Sequence, residues 1–149
     1  MNVHIDELAG MTGKDLGHSD WFEVPQTRID TFATATDDHQ WIHVDPEQAR
    51  NGPFGTPIAH GLLTLSLFIP MFTQMLEVEG VKTKVNYGFN KIRFPAPVPV
   101  GSRLRLHARL TEVEEVAGGA VQLTVDATVE IEDTPKPACV LQSVTRFYR

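Results

Sequence analysis

IAHGLLTLSLFIPMFTQML, residues 58–76, is the most apolar stretch of this 149-residue chain, and how it is read decides the architecture. Leu62, Leu63, Leu65, Leu67, Phe68, Ile69, Met71, Phe72, Met75 and Leu76 cover most of the circumference of a helix drawn through it. A helix that is apolar nearly all round must be surrounded by protein. It is no bilayer span, because His60, Thr64, Ser66, Pro70, Thr73 and Gln74 interrupt it too often. Pro70 has no N–H to give to the Ser66 carbonyl, so the helix is expected to kink or end early there.

The surroundings are read downstream. Leu104, Leu106, Ala108 and Leu110 alternate with Arg103, Arg105, His107 and Arg109, a period of two that predicts a strand with one buried face. Val121, Leu123, Val125, Ala127, Val129 and Ile131 repeat the pattern against polar neighbours, and Gly118-Gly119 between the two runs marks a hairpin turn that makes them antiparallel. Further strands are expected at Val81 to Phe94 and Ala138 to Tyr148. One buried helix with about five strands, mostly C-terminal to it, predicts an α+β fold in which an antiparallel sheet wraps one long central helix. No repeat or linker divides the chain, so residues 1–149 are expected to form one domain.

Upstream, Thr27 and Asp30 have capping-box spacing, with Ile29, Phe32 and Ala33 following at helical intervals, so a short helix should begin there. Asp45-Pro46-Glu47-Gln48 opens a second helix with an acidic N-cap and Pro at its first position, and Gly52 stops it.

Composition narrows the function. Thirteen basic against nineteen acidic residues give a net charge of −6, with 42% hydrophobic residues, an ordinary soluble make-up that argues against a nucleic-acid partner. A chain this long buries roughly 70% of its unfolded surface and needs no staple. Cys139 is the one cysteine and has no partner for a disulfide, and no export signal opens the chain, so a cytoplasmic setting without a membrane partner is expected. The charge is uneven: residues 1–50 carry ten acids and three bases, whereas Gly80 to Thr111 holds seven bases and no acid and could receive an anion.

The densest chemistry is TDDHQWIHVD, residues 36–45. Asp38 and His43, five apart in a loop, can turn toward one point and share a water molecule, or else form a structural loop hydrogen bond. Asp45 reads as the N-cap. His39 and His43 have the spacing of a zinc pair only on a helix, and Trp41-Ile42 with the Pro46 cap argue against a helix there, so no metal is expected. His60 reads as structural, or as the residue before a Gly61 N–H that serves an anion at a helix start. His4, His18, His39 and His107 read as surface residues. Neither a nucleophile elbow, a phosphate loop nor a dinucleotide fingerprint occurs.

Three blocks in this order, FATATDDHQWIHVDPEQA (32–49), GTPIAHGLL (55–63) and NYGFNKIRFP (86–95), resemble the MaoC-like dehydratases, the single-hotdog R-specific enoyl-CoA hydratases. The likeness spans roughly residues 20–148. It implies a hotdog fold, Asp38 and His43 as the catalytic pair, and Gly61 as the oxyanion donor. It also implies hydration of a trans-2-enoyl-CoA to the (R)-3-hydroxyacyl-CoA, or the reverse, in a homodimer without a cofactor. The CoA phosphates would then meet Lys91, Arg93 and Arg103 of the base-only segment. Two departures stand out: Asp37 occupies the place of the usual Gly, and Gln40-Trp41 that of Asn-Pro. A serine that some members use further along the helix has no counterpart, since Ile69 stands there. The neighbouring readings are a hotdog acyl-CoA thioesterase and a non-catalytic acyl-thioester binding subunit, the latter disfavoured because Asp38 and His43 are both present.

Overall fold

The computed structural model describes residues 1–149. In chain order its elements are β1 (Asn2–His4), a 3-10 segment (Ile5–Met11), β2 (Asp15–His18), β3 (Phe22–Glu23), α1 (Gln26–Thr36), α2 (Trp41–Val44), α3 (Pro46–Arg50), α4 (Gly61–Ser66) and α5 (Phe68–Met75). The remainder is strand: β4 (Glu77–Glu79), β5 (Thr83–Arg93), β6 (Arg103–Val116), β7 (Ala120–Ile131) and β8 (Cys139–Tyr148).

The period-two runs become the centre of an antiparallel sheet of order β2-β6-β7-β8-β5, with β3 also pairing with β6. Leu106 lies opposite Val129, Ala108 opposite Ala127 and Leu110 opposite Val125, all turned into the core. Beyond Leu110 strict alternation would send Glu112 inward. A bulge at Thr111 resets the register, so Val113 packs on the core and Glu112 stays exposed. Gly118 and Gly119, at φ 86° and 74°, supply the left-handed backbone of the hairpin.

The apolar helix lies against this sheet, with Leu63, Leu67, Phe68, Met71, Phe72 and Met75 buried in one cluster with Leu104, Leu106 and Leu123. This is the hotdog arrangement that the resemblance implies. The helix is interrupted at Leu67, which places Pro70 in the first turn of α5, where a missing N–H matters least. It is not wholly enclosed either. Leu62 is 62% and Ile69 38% exposed, and Val85 and Tyr87 of β5 are exposed as well. β5 ends the sheet with its outer edge unpaired.

Local details differ from expectation at three places. α1 starts at Gln26 with Pro25 as its cap residue and no side-chain cap, so Thr27 and Asp30 form no capping box. Instead the Thr31 hydroxyl bonds back to the Thr27 carbonyl at 2.7 Å, and Asp30 accepts from Gln26 Nε2 at 2.8 Å. Trp41–Val44 is helical after all; one turn is too short to show a period in sequence. β1, β2, β3 and β4 lie in segments with no repeating pattern to reveal them.

Candidate active site

α1 ends at Thr36, and Asp37 reverses the chain from the left-handed region at φ 60° and ψ 19°. A glycine adopts this conformation freely, and Asp is among the few other residues that tolerate it. The Asp37 side chain is exposed. One turn of helix then carries His43 into the interior. α3 follows with the expected cap, the Asp45 carboxylate accepting from the Gln48 N–H at 2.9 Å. Gly52 serves packing more than termination, because a Cβ there would meet the Trp41 ring at 2.7 Å.

His43 is 7% exposed and clamped from two directions. Gln26 Nε2 donates to its carbonyl at 2.8 Å, and its own Nδ1–H donates to the Ile58 carbonyl at 2.7 Å. With the proton fixed on Nδ1, Nε2 is left as a lone pair. Burial is the main force lowering the His43 pKa from 6.5; the Ile58 carbonyl pulls it up, His60 pushes it down, and the Asp38 carboxylate pulls it up.

Reading the sequence missed His60 as a member of this site. It is 2% exposed, its Nε2–H donates to the Asp38 carbonyl at 2.9 Å, and its ring lies on that of His43 with centroids 3.9 Å apart and planes 26° apart. The signal was His-Gly at the head of the apolar run, but nothing local tied it to residue 38. One polar side-chain atom from each of Asp38, His43 and His60 lies within 4.8 Å of the other two. Such a trio could be mistaken for a metal site, yet one nitrogen of each ring, His43 Nδ1 and His60 Nε2, is already spent on a backbone carbonyl, and the two rings stack face to face with planes 26° apart.

His43 and Gly61 line one cavity of about 380 Å³, closed by Phe54, Thr64, Phe94 and Val98. Gly61 is the first residue of α4, so its N–H lies among the helix-start donors with no partner inside the helix. α4 has six residues, so the donor here is the N–H itself more than a long dipole. A Cβ at Gly61 would sit 3.4 Å from three atoms of the Phe94 ring, which is a second reason for glycine. A larger cavity of about 630 Å³ lies by Trp21, Arg105 and Glu130 and shares no residue with this site.

The three candidate phosphate ligands are not gathered at the pair. Arg93 immediately precedes Phe94 of the cavity wall. Lys91 lines a separate cavity with His107, Arg109 and Asp126. Arg103 is bound to Glu132 at 2.8 Å, as Arg105 is to Glu130 at 2.7 Å and Lys84 to Glu77 at 3.1 Å. The base-only segment thus borrows acids from outside itself. His18 and His107 are not isolated surface residues: their rings lie 4.8 Å apart, with Glu130 and Asp15 as respective partners.

With this geometry in place, the family model described as MaoC like domain matches residues 7–131. The chain belongs to the MaoC-like family. It is 54% identical over 143 residues to 3-hydroxyacyl-thioester dehydratase Z of Mycobacterium tuberculosis, covering 96% of this chain and 95% of that one. It is 44% identical over 145 residues to Nodulation protein N of Rhizobium leguminosarum bv. viciae, covering 96% and 90%. Among solved structures, the (R)-hydratase from A. caviae involved in PHA biosynthesis shares the fold at TM-score 0.73 and 23% identity, over 90% of this chain and 94% of that one. No helix of this MaoC-like chain is long and apolar enough to cross a membrane.

Proposed function

We propose that the protein is a hydro-lyase that adds water to a trans-2-enoyl thioester, giving the (R)-3-hydroxyacyl thioester, or runs the reverse dehydration. The observation that carries this is His43: its Nδ1 is engaged by the Ile58 carbonyl so that Nε2 is left free, one of its ring nitrogens lies within 4.8 Å of an Asp38 carboxylate oxygen, and it lines the cavity that Gly61 also lines. Asp38 and His43 hold one water between them. Its oxygen bonds to Cβ, one of its protons goes to Cα through the pair, and the pair returns to its starting protonation state. Negative charge builds meanwhile on the thioester oxygen, where the Gly61 N–H donates. The R hand rests on the resemblance, and the relative named as a 3-hydroxyacyl-thioester dehydratase supports the substrate class.

The reading includes a cytoplasmic homodimer. The free edge of β5 and the exposed Leu62, Ile69, Val85 and Tyr87 are what a second copy would cover, joining the two sheets. Light scattering at micromolar concentration should give twice the chain mass, and a monomer would refute this part. For a CoA carrier, Arg93 beside the cavity wall takes a phosphate; Lys91 would have to reach it from its separate cavity, and Arg103 would first have to leave Glu132. The deciding experiment mixes pure protein with crotonyl-CoA and longer homologues. Loss of the enoyl absorbance without release of free thiol supports hydration, and thiol release in its place indicates the thioesterase.

A further inference from the structure

The mechanism above uses Asp38, His43 and Gly61, and leaves the most buried histidine of the molecule, His60, without a task. Three contacts of this side chain, with its place in the chain, are unusual together. Its Nε2–H reaches across 22 residues of chain to the Asp38 carbonyl, the backbone of one member of the pair. Its face lies on the imidazole of the other member. On the chain itself it is joined directly to Gly61. Phe32 of α1 tilts against it, with centroids 4.9 Å apart. Its Nδ1 is buried and meets no protein hydrogen-bond donor, one of only two such side-chain atoms in the protein. An unpartnered buried polar atom is unfavourable, and a phenyl or leucine side chain would fill the same space without that penalty.

We propose that His60 is the positioning residue of the catalytic pair: one nitrogen fixes the Asp38 backbone, the ring face fixes the plane of His43, and its own peptide sets Gly61 in register with both. This rests on the hydratase reading. Asp38 follows a left-handed residue in an exposed loop, and the His60 bond is what ties its backbone to the buried interior. His43 is held by Ile58 at one ring nitrogen, which leaves the ring free to tilt about that bond until the second ring is laid against it. Misplacement by about 1 Å at a reacting group costs on the order of 10²-fold in rate, so a residue that removes two such freedoms acts on kcat more than on binding.

The test compares His60→Phe, which keeps a ring against His43 and cannot donate to Asp38, with His60→Gln, which keeps an N–H near Asp38 and loses the ring. Both are read by kcat and KM for crotonyl-CoA and by the NMR titration of His43, which needs no turnover. The titratable groups within reach of His43 are Asp38 and His60; Gln26 and Ile58, which bond to it, and Gly61, Thr64 and Phe94, which line its cavity, do not titrate. Folded His60→Phe should lose kcat on the order of 10²-fold with KM within about twofold, and His60→Gln about tenfold. The His43 midpoint should rise in both, because a neighbour that disfavours its charged form has gone. Unchanged kcat, or a loss that only tracks the folded fraction, with an unmoved His43 midpoint, overturns the proposal. A wild-type protein that hydrates neither crotonyl-CoA nor its longer homologues refutes the hydratase reading instead, and the His43 midpoint in the two variants then reports whether His60 acts on the His43 ring at all.

Discussion

Residues 37–61 and the strands β6 to β8 are held together on different terms. In the sheet, Leu104 to Leu110 of β6 face Val125 to Ile131 of β7 through an unbroken series of register pairs, and each buried side chain has several neighbours of the same kind. Losing one contact there removes volume and area, shared among the rest. At the corner, single atoms carry single duties: Ile58 O on His43 Nδ1, Asp38 O on His60 Nε2, Gln26 Nε2 on His43 O. The lesson is that this protein should lose stability gradually through its sheet and lose chemistry abruptly through its corner.

The largest effect expected from that contrast is at the pair. Asp38→Asn and His43→Gln should each lower kcat/KM by on the order of 10²- to 10⁴-fold, about 3–5 kcal/mol of transition-state stabilisation. Urea midpoints of the two variants should stay near the wild type, and a shared loss of fold and activity would erase the contrast. The converse variant is Leu106→Ala, at 0% exposure in the middle of β6. It should cost about 2–5 kcal/mol of stability in urea unfolding, while kcat of the protein that remains folded is unchanged.

How much of this was legible in the sequence follows the same division. The strands showed because a half-buried sheet imposes a period of two on many consecutive residues, and Gly118-Gly119 gave the hairpin its backbone signature. Asp45 showed because a cap needs only its next three residues. The Asp38 and His43 spacing was visible as a motif. His60 was not, because its partner carbonyl lies 22 residues away and no local pattern encodes that bond. The same distance problem hid the acids that neutralise the basic segment: Glu130 and Glu132 reach Arg105 and Arg103 only once β6 and β7 pair. The break at Leu67 was half legible, since Pro70 announced an interruption but not that the helix resumes and runs to Met75.

The contrast can be sharpened with pH. Folding favours the neutral His43 ring, whose pKa burial lowers from 6.5. The unfolded chain therefore binds the extra proton, and the contribution of this residue to stability is complete above pH 6.5 and is lost as pH falls through the folded-state value. Unfolding free energies measured from pH 8 down to pH 5 should fall less steeply for His43→Gln than for the wild type. Parallel curves would mean that the corner contributes nothing to acid sensitivity. Smallest of all is Asp37→Gly. Relief of the left-handed backbone should add up to about 1 kcal/mol to stability, with the acid limb of kcat/KM moving by no more than a few tenths of a pH unit. A fall of a full unit would place the Asp37 carboxylate in the site.

The central claim is that water, activated between Asp38 and His43, is delivered to Cβ and not to the thioester carbonyl. Turnover of crotonyl-CoA in water enriched in oxygen-18, with the products separated and weighed by mass spectrometry, tests it most directly. The label should appear in the 3-hydroxyl group of an intact 3-hydroxybutyryl-CoA, and His43→Gln should slow its appearance on the order of 10²-fold or more. Label in a free carboxylate, accompanied by CoA thiol, would contradict the claim.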